Sequence, residues 1–190
     1  MRVAVAISCA FLPLLFGSAA VAEIAPIYVN CSSRFAVQFP AAPAARNLTY
    51  RTFASPLVPA RQFFVEQDAS RFAVTVADFS GGPAASEQIV ERAAQELRAR
   101  GEVRFQASDH YDPGTPGRQL DITERDGRQL RASVYMAAHR LFIAEASAPH
   151  GDVNALLFEQ SMTLIDAAGY DLNKDVERNS DAGPRIFACR

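Results

Sequence analysis

The stretch from Phe63 to Phe79 constrains the fold most, because it contains two segments rich in aromatic and β-branched residues separated by a short polar turn. This pattern predicts two antiparallel strands joined as a hairpin. A two-residue loop at Ala69-Ser70 would pair Val65 with Val74, and a four-residue loop in the same register is equally compatible with the residues. Side chains alternate between the faces of a strand, so one face is continuously apolar. The residues expected on this inward face are Phe63, Val65, Phe72, Val74 and Val76.

A second hairpin is predicted around Gly127, and its loop length follows from the register of its apolar residues. A two-residue loop at Asp126-Gly127 would place Ile122 opposite Arg131 and split the apolar face. A loop one residue longer pairs Ile122 with Leu130 instead, and it puts Gly127 where a positive φ is needed. We therefore expect the three-residue loop.

The segment from Ala84 to Arg100 has the pattern of an amphipathic helix. Its apolar residues fall on one side, Glu87 lies in its first turn, and Gly101 follows its end. We expect this helix to lie on the hairpin that precedes it. Further strands are predicted over residues 24–29, 34–39, 48–53, 103–107 and 140–146, with a turn-rich link over 41–47 and a second helix over 153–161.

The N-terminus has the pattern of a secretory signal peptide. Arg2 is followed by an apolar run from Val3 to Phe16, and the small residues Ala20 and Ala22 precede the expected cleavage point. The sequence therefore predicts a signal peptide over residues 1–22 and a periplasmic or secreted protein. A retained membrane anchor is the alternative, but the apolar run is shorter than the roughly 20 residues that a spanning helix needs.

Removal of this 22-residue leader from the 190-residue chain leaves 168 residues. That length suits one α+β domain, expected over residues 23–168, followed by a charge-rich C-terminal tail over 169–190. The leader carries one of the 19 Lys and Arg residues, so 18 remain against 21 Asp and Glu, a net charge of −3 with neutral histidines. This balance does not favour a nucleic-acid partner, and no second stretch is apolar enough to enter a membrane.

Cys31 and Cys189 are the two cysteines that remain after leader removal, and they lie near the two ends of the exported chain. An oxidising compartment favours a disulfide between them. Such a bond would tie the tail to the domain and close a loop worth roughly 5 kcal/mol at most in the chain-entropy model. The alternative is two unrelated thiols.

Asp109, His110 and Asp112 form the group closest to a metal or acid–base cluster. An imidazole beside carboxylates suits a divalent ion, but Asp-x-x-Asp-Pro-Gly is also ordinary turn chemistry. His139 and His150 are expected in solvated turns, and the chain contains no Gly-x-Ser-x-Gly nucleophile motif. The three residues are therefore weak candidates for a polar site, and we predict no catalytic, cofactor or metal centre.

Five segments of the chain follow one another in a recognisable order: Phe35 to Pro40, Phe72 to Phe79, Gly114 to Gly117, Arg140 to Phe142 and Phe158 to Ser161. In this order the chain resembles exported PsbP-like domains from about Ser33 to Ile165. The resemblance implies an α+β fold, with a central antiparallel sheet of about six or seven strands and helices packed on it as an α/β/α sandwich. That fold is shared by the photosystem II extrinsic subunit and a Ran-binding nuclear import factor. No functional residue carries over, because the matched positions are turn and core positions.

These observations lead to three functional hypotheses. The first is an exported, non-enzymatic accessory or binding protein, whose partner is an unidentified protein or small molecule. The second is a small periplasmic hydrolase or metal-dependent enzyme that uses His110 with Asp109 or Asp112, which requires those side chains to meet in a cleft. The third is a carrier that holds an apolar ligand between helix and sheet, in a pocket of a few hundred cubic ångströms with few polar groups.

Overall fold

A computed structural model of the protein describes residues 26–51, 57–80, 86–112, 114–173 and 187–189. The predicted signal peptide and residues 174–186 of the predicted tail lie outside these ranges. The first half of the chain forms β1 Tyr28–Asn30, β2 Phe35–Val37, β3 Ala44–Tyr50, β4 Val58–Gln67, β5 Ser70–Asp78 and α1 Ser86–Arg98. The second half forms β6 Gly101–Asp112, β7 Thr115–Glu124, β8 Gln129–Ala137, β9 Arg140–Ala148, α2 Val153–Gln160 and β10 Thr163–Leu164.

Seven of the described strands form one antiparallel sheet in the order β3-β4-β5-β9-β8-β7-β6. Helix α1 packs on one face of it, while α2 and a small sheet of β1, β2 and β10 cover the other. The α+β class and the central antiparallel sheet that the resemblance implied are therefore confirmed. No helix among the described residues is both long and apolar enough to cross a membrane.

The hairpin of β4 and β5 has the predicted inward face but a different register. Val65 lies opposite Phe72 rather than Val74, because the two-residue turn is formed by Asp68 and Ala69. Asp68 has a φ of 52°, a left-handed conformation that aspartate tolerates better than most residues. A slip of two residues returns every side chain to the same face. The five apolar residues expected on that face are accordingly all buried in one cluster.

The hairpin of β7 and β8 confirms the predicted register. Ile122 lies opposite Leu130, and Gly127 adopts a φ of 85° in the loop between the strands. The next turn, between β8 and β9, contains two residues, Ala138 and His139, with φ of 47° and 60°. Positive φ at both central positions is typical of the tight turns that match the twist of antiparallel strands.

The expected position of the first helix is wrong. Helix α1 packs mainly on β7 and β8, although it follows the β4–β5 hairpin in sequence. Large apolar side chains face it there, including Ile122, Leu130 and Val134, which are fully buried. On β5 the apolar residues of the same face are the smaller Ala73 and Ala77. The helix therefore covers the large side chains and leaves the β3–β5 part of this face largely open.

Three strands differ from their predicted extent or burial. Strand β3 begins at Ala44, inside the predicted link over 41–47, and its first four residues are exposed. Strand β2 is buried throughout rather than on one side, because it is the middle strand of the small sheet. In β6 a register shift between Val103 and Phe105 places these residues on opposite faces of the sheet. Phe105 is consequently 54% exposed.

The structure brings the two predicted disulfide partners together at the end of the domain. The sulfur atoms of Cys31 and Cys189 are 2.07 Å apart, and the residues are 158 positions apart in sequence. The segment around Cys189 also touches the domain through the backbone, since Phe187 donates an N–H to the carbonyl of Gly169 at 2.9 Å. A β-carbon on Gly169 would lie 2.0 Å from the Phe187 carbonyl oxygen, so a side chain there would prevent this approach.

Candidate functional site

A row of side chains crosses four neighbouring strands on the α1 side of the large sheet. Arg46 lies opposite Gln62, Gln62 opposite Thr75, and Thr75 opposite Ile143. Residues directly opposite one another in antiparallel strands point to the same face, so the four side chains form one continuous line. The line runs from the exposed edge strand β3 toward the region beneath α1, where Ile143 contributes to the core.

A cavity of about 270 Å³ lies between α1 and the strands that carry this row. We call it the α1 cleft. Its apolar lining residues are Leu48, Ala93, Leu97 and Ile143. Its polar lining residues are Tyr50, Gln62, Thr75, Glu96, Arg100 and Glu145. Toward α1 the hairpin presents the small residues Ala60, Ala73 and Ala77, while Phe64 on the same face lies beneath the guanidinium of Arg46.

Gln62 is the buried centre of a polar network at the outer end of the cleft. Its carbonyl oxygen accepts from Nε and Nη2 of Arg46, at 3.0 and 2.6 Å, and from Nη2 of Arg71 at 3.2 Å. Its amide nitrogen donates to the hydroxyl of Thr75 at 2.9 Å. Gln62 is 7% exposed, so these bonds compensate the cost of removing its amide from water. Two guanidinium groups therefore converge on one neutral oxygen.

The network continues beneath the helix through Glu145. Its two carboxylate oxygens accept from Arg71 at 2.9 Å and from Arg100 at 2.8 Å. Arg100 also pairs with Glu124 at 2.7 Å, and Glu124 accepts the hydroxyl of Ser147. The Glu145 side chain is 14% exposed, which makes an unpaired charge there costly. The guanidinium groups of Arg71 and Arg100 neutralise this charge and donate hydrogen bonds to both of its oxygens.

Tyr50 supplies a hydroxyl at the rim of the cleft. It donates to a carboxylate oxygen of Glu96 on α1 at 3.1 Å. Burial raises the pKa of Tyr50 well above its ordinary value, and the charges of Glu96 and Glu145 raise it further. The phenol therefore stays protonated at neutral pH and acts as a hydrogen-bond donor rather than as a base.

The predicted polar candidates on β6 are not brought together as a group. Asp109 lies opposite Gly117 and His110 opposite Pro116, so the two side chains point to opposite faces of the sheet. The Asp109 carboxylate accepts from the hydroxyl of Tyr135 at 2.6 Å and from the backbone N–H of His110 at 2.8 Å. His110 is exposed and Asp112 is half-buried. The enzyme hypothesis requires these side chains to meet in a cleft, and the side chains of Asp109 and His110 do not meet.

Within the described ranges, no three His, Cys, Asp or Glu side chains are placed to hold a metal ion together. His139 and His150 are exposed in turns, as the sequence predicted.

A buried carboxyl group that the sequence did not indicate lies on α2. Glu159 is 7% exposed and accepts the hydroxyl of Ser133. Burial raises its pKa, and the Ser133 hydrogen bond and the charge of Arg131 offset part of that shift. Asp109 adds to the increase by electrostatic repulsion. Periodicity could not reveal this residue, because α2 is too short for its polar side to be read from sequence.

Replacing Glu159 with glutamine is expected to make the free energy of unfolding less dependent on pH. Because its pKa is raised, the Glu159 carboxyl group stays protonated in the folded protein at pH values where it is ionised in the unfolded chain. The contribution of Glu159 to the stability of the wild type should therefore be fully present below the ordinary glutamate pKa. It should be lost as the pH rises through the raised pKa of Glu159 in the folded protein. Urea denaturation from pH 4 to 8 measures the effect. Glu102→Gln on the exposed part of β6 is the control, and equal pH profiles for wild type and Glu159→Gln would contradict the prediction.

Comparison with protein-family models and with curated proteins finds no match. Among solved structures, the solution structure of cyanobacterial PsbP (CyanoP) from Synechocystis is similar over 79% of this chain and 98% of that chain, with 15% identity and a TM-score of 0.50. A protein of unknown function from Pseudomonas aeruginosa is similar over 56% of this chain and 85% of that one, with 17% identity and a TM-score of 0.35, which is too low for an inference. At these identities the likeness concerns the fold and not the activity. The central sheet, the helix on each face and the likeness to cyanobacterial PsbP together show that this chain has the PsbP-like fold.

Proposed function

We propose that the protein is an exported, non-enzymatic binding protein that holds a small ligand in the α1 cleft. The observation that carries the proposal is the cavity itself, which combines four apolar side chains with a hydrogen-bonded polar floor. Ligand sites are typically concave and apolar with a few convergent polar groups that fix orientation. The lining differs from that of the predicted apolar carrier, because six of its ten residues are polar.

Export to the periplasm is supported by the leader pattern and by the disulfide. Bonds of this kind persist in oxidising compartments and are rare in the reducing cytosol. The pair Cys31 and Cys189 and the PsbP-like fold are both compatible with an exported protein. These features support a location in the periplasm or outside the cell.

The carboxylates around the cleft support binding rather than catalysis. Both oxygens of Glu145 accept N–H groups from arginine, and one oxygen of Glu96 accepts the Tyr50 hydroxyl. A general base must present a free oxygen to the proton that it removes. The arginine contacts leave Glu145 poorly placed for that task, whereas they hold the polar floor in one conformation, as a binding site requires.

Filling the cleft tests the proposal. Leu48 is half-buried at its rim, so Leu48→Trp should occupy the cavity, while Thr49→Trp adds the same bulk to the exposed opposite face of β3. The probes are hexanoate, hexanol and hexylamine, which share an apolar body and differ in their head group. We expect wild type and Thr49→Trp to bind at least one probe by calorimetry, and Leu48→Trp to lose about tenfold in affinity, since blocking a contact worth about 1.4 kcal/mol has that effect.

Two outcomes would overturn the proposal. One is that wild type binds none of the three probes, and the other is that Leu48→Trp and Thr49→Trp bind them equally. Turnover of a broad panel of hydrolase substrates, abolished by His110→Ala, would favour the enzyme hypothesis instead. Circular dichroism of each variant establishes that the fold is retained.

A further inference from the structure

Resting on the proposed function, we propose that the ligand of the α1 cleft is a small amphipathic carboxylate whose head group pairs with Arg46. Arg46 occupies the outer end of the row whose other three members line the cleft. An anionic head at that position would lie beside the guanidinium, and its apolar body would extend inward beneath α1. The inference concerns the chemical class of the ligand and the residue that selects it.

The first argument is that Arg46 carries a charge without a charged partner. Its hydrogen bonds go to the neutral carbonyl oxygen of Gln62, and its guanidinium carbon lies 4.9 Å from the centre of the Phe64 ring. Among the residues that the structure describes, no carboxylate lies within 4.0 Å of its nitrogen atoms. Both contacts hold the guanidinium in place, and its Nη1 makes no hydrogen bond within the described part of the chain.

The second argument comes from the other two arginines of the network. Arg71 pairs with Glu145 and, at 3.6 Å, with the exposed Glu66, and Arg100 pairs with both Glu145 and Glu124. Positive groups and their acceptors therefore alternate from Glu124 outward, and the series ends at Arg46 with a positive charge. A ligand carboxylate would complete the series, because its planar pair of oxygens matches the fork of N–H groups on a guanidinium.

The third argument is the division of the cavity into two chemically different parts. Leu97 and Ile143 supply apolar surface beneath the helix, while the polar network lies toward β3 and β4. A volume of about 270 Å³ is at the small end of known ligand pockets, which favours a short acid over a peptide or a long acyl chain. At the Arg46 end of the row an ammonium head is disfavoured, because it would approach the guanidinium groups of Arg46 and Arg71, while Glu145 is already paired and Glu96 lies at the Tyr50 rim.

The test compares Arg46→Gln with Arg61→Gln by titration calorimetry with the same three probes. Arg61 is a matched control, because its guanidinium lies over Phe63 at 5.0 Å as Arg46 lies over Phe64, but on the opposite face of the sheet. We expect hexanoate to bind wild type and Arg61→Gln at least tenfold more tightly than hexanol or hexylamine. Arg46→Gln should lose that preference, and its remaining affinity for hexanoate should vary less with salt concentration.

The outcomes separate this inference from the proposed function. If hexanol or hexylamine binds as tightly as hexanoate, or if Arg46→Gln binds hexanoate as wild type does, the inference is overturned. The proposed function stands in either case when Leu48→Trp still lowers the affinity of a bound probe about tenfold and Thr49→Trp does not. Failure of every probe to bind wild type overturns both. The comparison of the three probes on wild type needs no substitution, so the inference is tested even if Arg46→Gln folds poorly.

Discussion

Replacing Cys189 with serine is expected to lower the free energy of unfolding by about 3 to 5 kcal/mol. The disulfide with Cys31 joins residues 158 positions apart, so it removes much of the conformational freedom of the unfolded chain. The chain-entropy model gives about 5 kcal/mol for a loop of this length, and native disulfides in exported domains commonly contribute 2 to 5. Denaturation by guanidinium chloride under non-reducing conditions measures the loss from the shift of the midpoint.

The controls for this prediction separate the covalent bond from the side chain. Cys31→Ser and the double variant should lose the same free energy as Cys189→Ser, and wild type in reducing agent should match them. Thiol titration of the wild-type protein purified without residues 1–22, which contain Cys9, should find no free thiol. Two free thiols, or equal midpoints for wild type and the double variant, would contradict the prediction.

Replacing Phe158 with alanine is expected to cost about 3 to 5 kcal/mol of unfolding free energy, the usual range for a fully buried phenylalanine. Phe158 is 1% exposed and connects α2 to both sheets. Its ring centre lies 5.0 Å from that of Phe39 beside the small sheet and 5.5 Å from that of Phe72 on β5. Truncation would leave a cavity between these rings and remove both aromatic contacts. Urea denaturation at neutral pH measures the change.

Leu157 provides the control on the neighbouring position of the same helix. It is 49% exposed, so Leu157→Ala should change the unfolding free energy by about 0.5 kcal/mol or less. Both substitutions put alanine, the best helix former, at adjacent positions of α2, so neither weakens the helix by its propensity. Equal losses for the two variants would mean that α2 does not pack through Phe158.

The faces of the strands could be predicted from sequence, whereas one register could not. Alternation assigned Phe63, Val65 and Phe72 to one side correctly, because a side chain's face depends on whether its position is odd or even. A shift of two residues preserves that assignment. The sequence therefore could not distinguish Val74 from Phe72 as the partner of Val65. At the other hairpin the two candidate loops differ by one residue, and only the longer one pairs Ile122 with Leu130 and keeps the apolar face continuous, so alternation resolved that register.

The position of α1 and the membership of the cleft required the structure. The sequence pattern of a helix identifies its apolar side but not the strands on which that side will pack. In the structure α1 packs on the large apolar residues of β7 and β8. The sequence predicts a link at Arg46, because the exposed first half of β3 shows no apolar alternation. The segment is nevertheless a strand, since its backbone pairs with β4. The candidates Asp109 and His110 are neighbours in sequence, and neighbours on a strand point to opposite faces.

The bond between Cys31 and Cys189 changes what a cut in the chain would mean for this protein. Residues 32 to 188 lie inside a covalent ring, which contains the described strands β2 to β10 and leaves β1 outside. Hydrolysis of one peptide bond inside a ring opens it without releasing a fragment, and the two pieces remain one molecule. The disulfide would thus preserve the covalent unity of the chain after a cut as well as its folded stability.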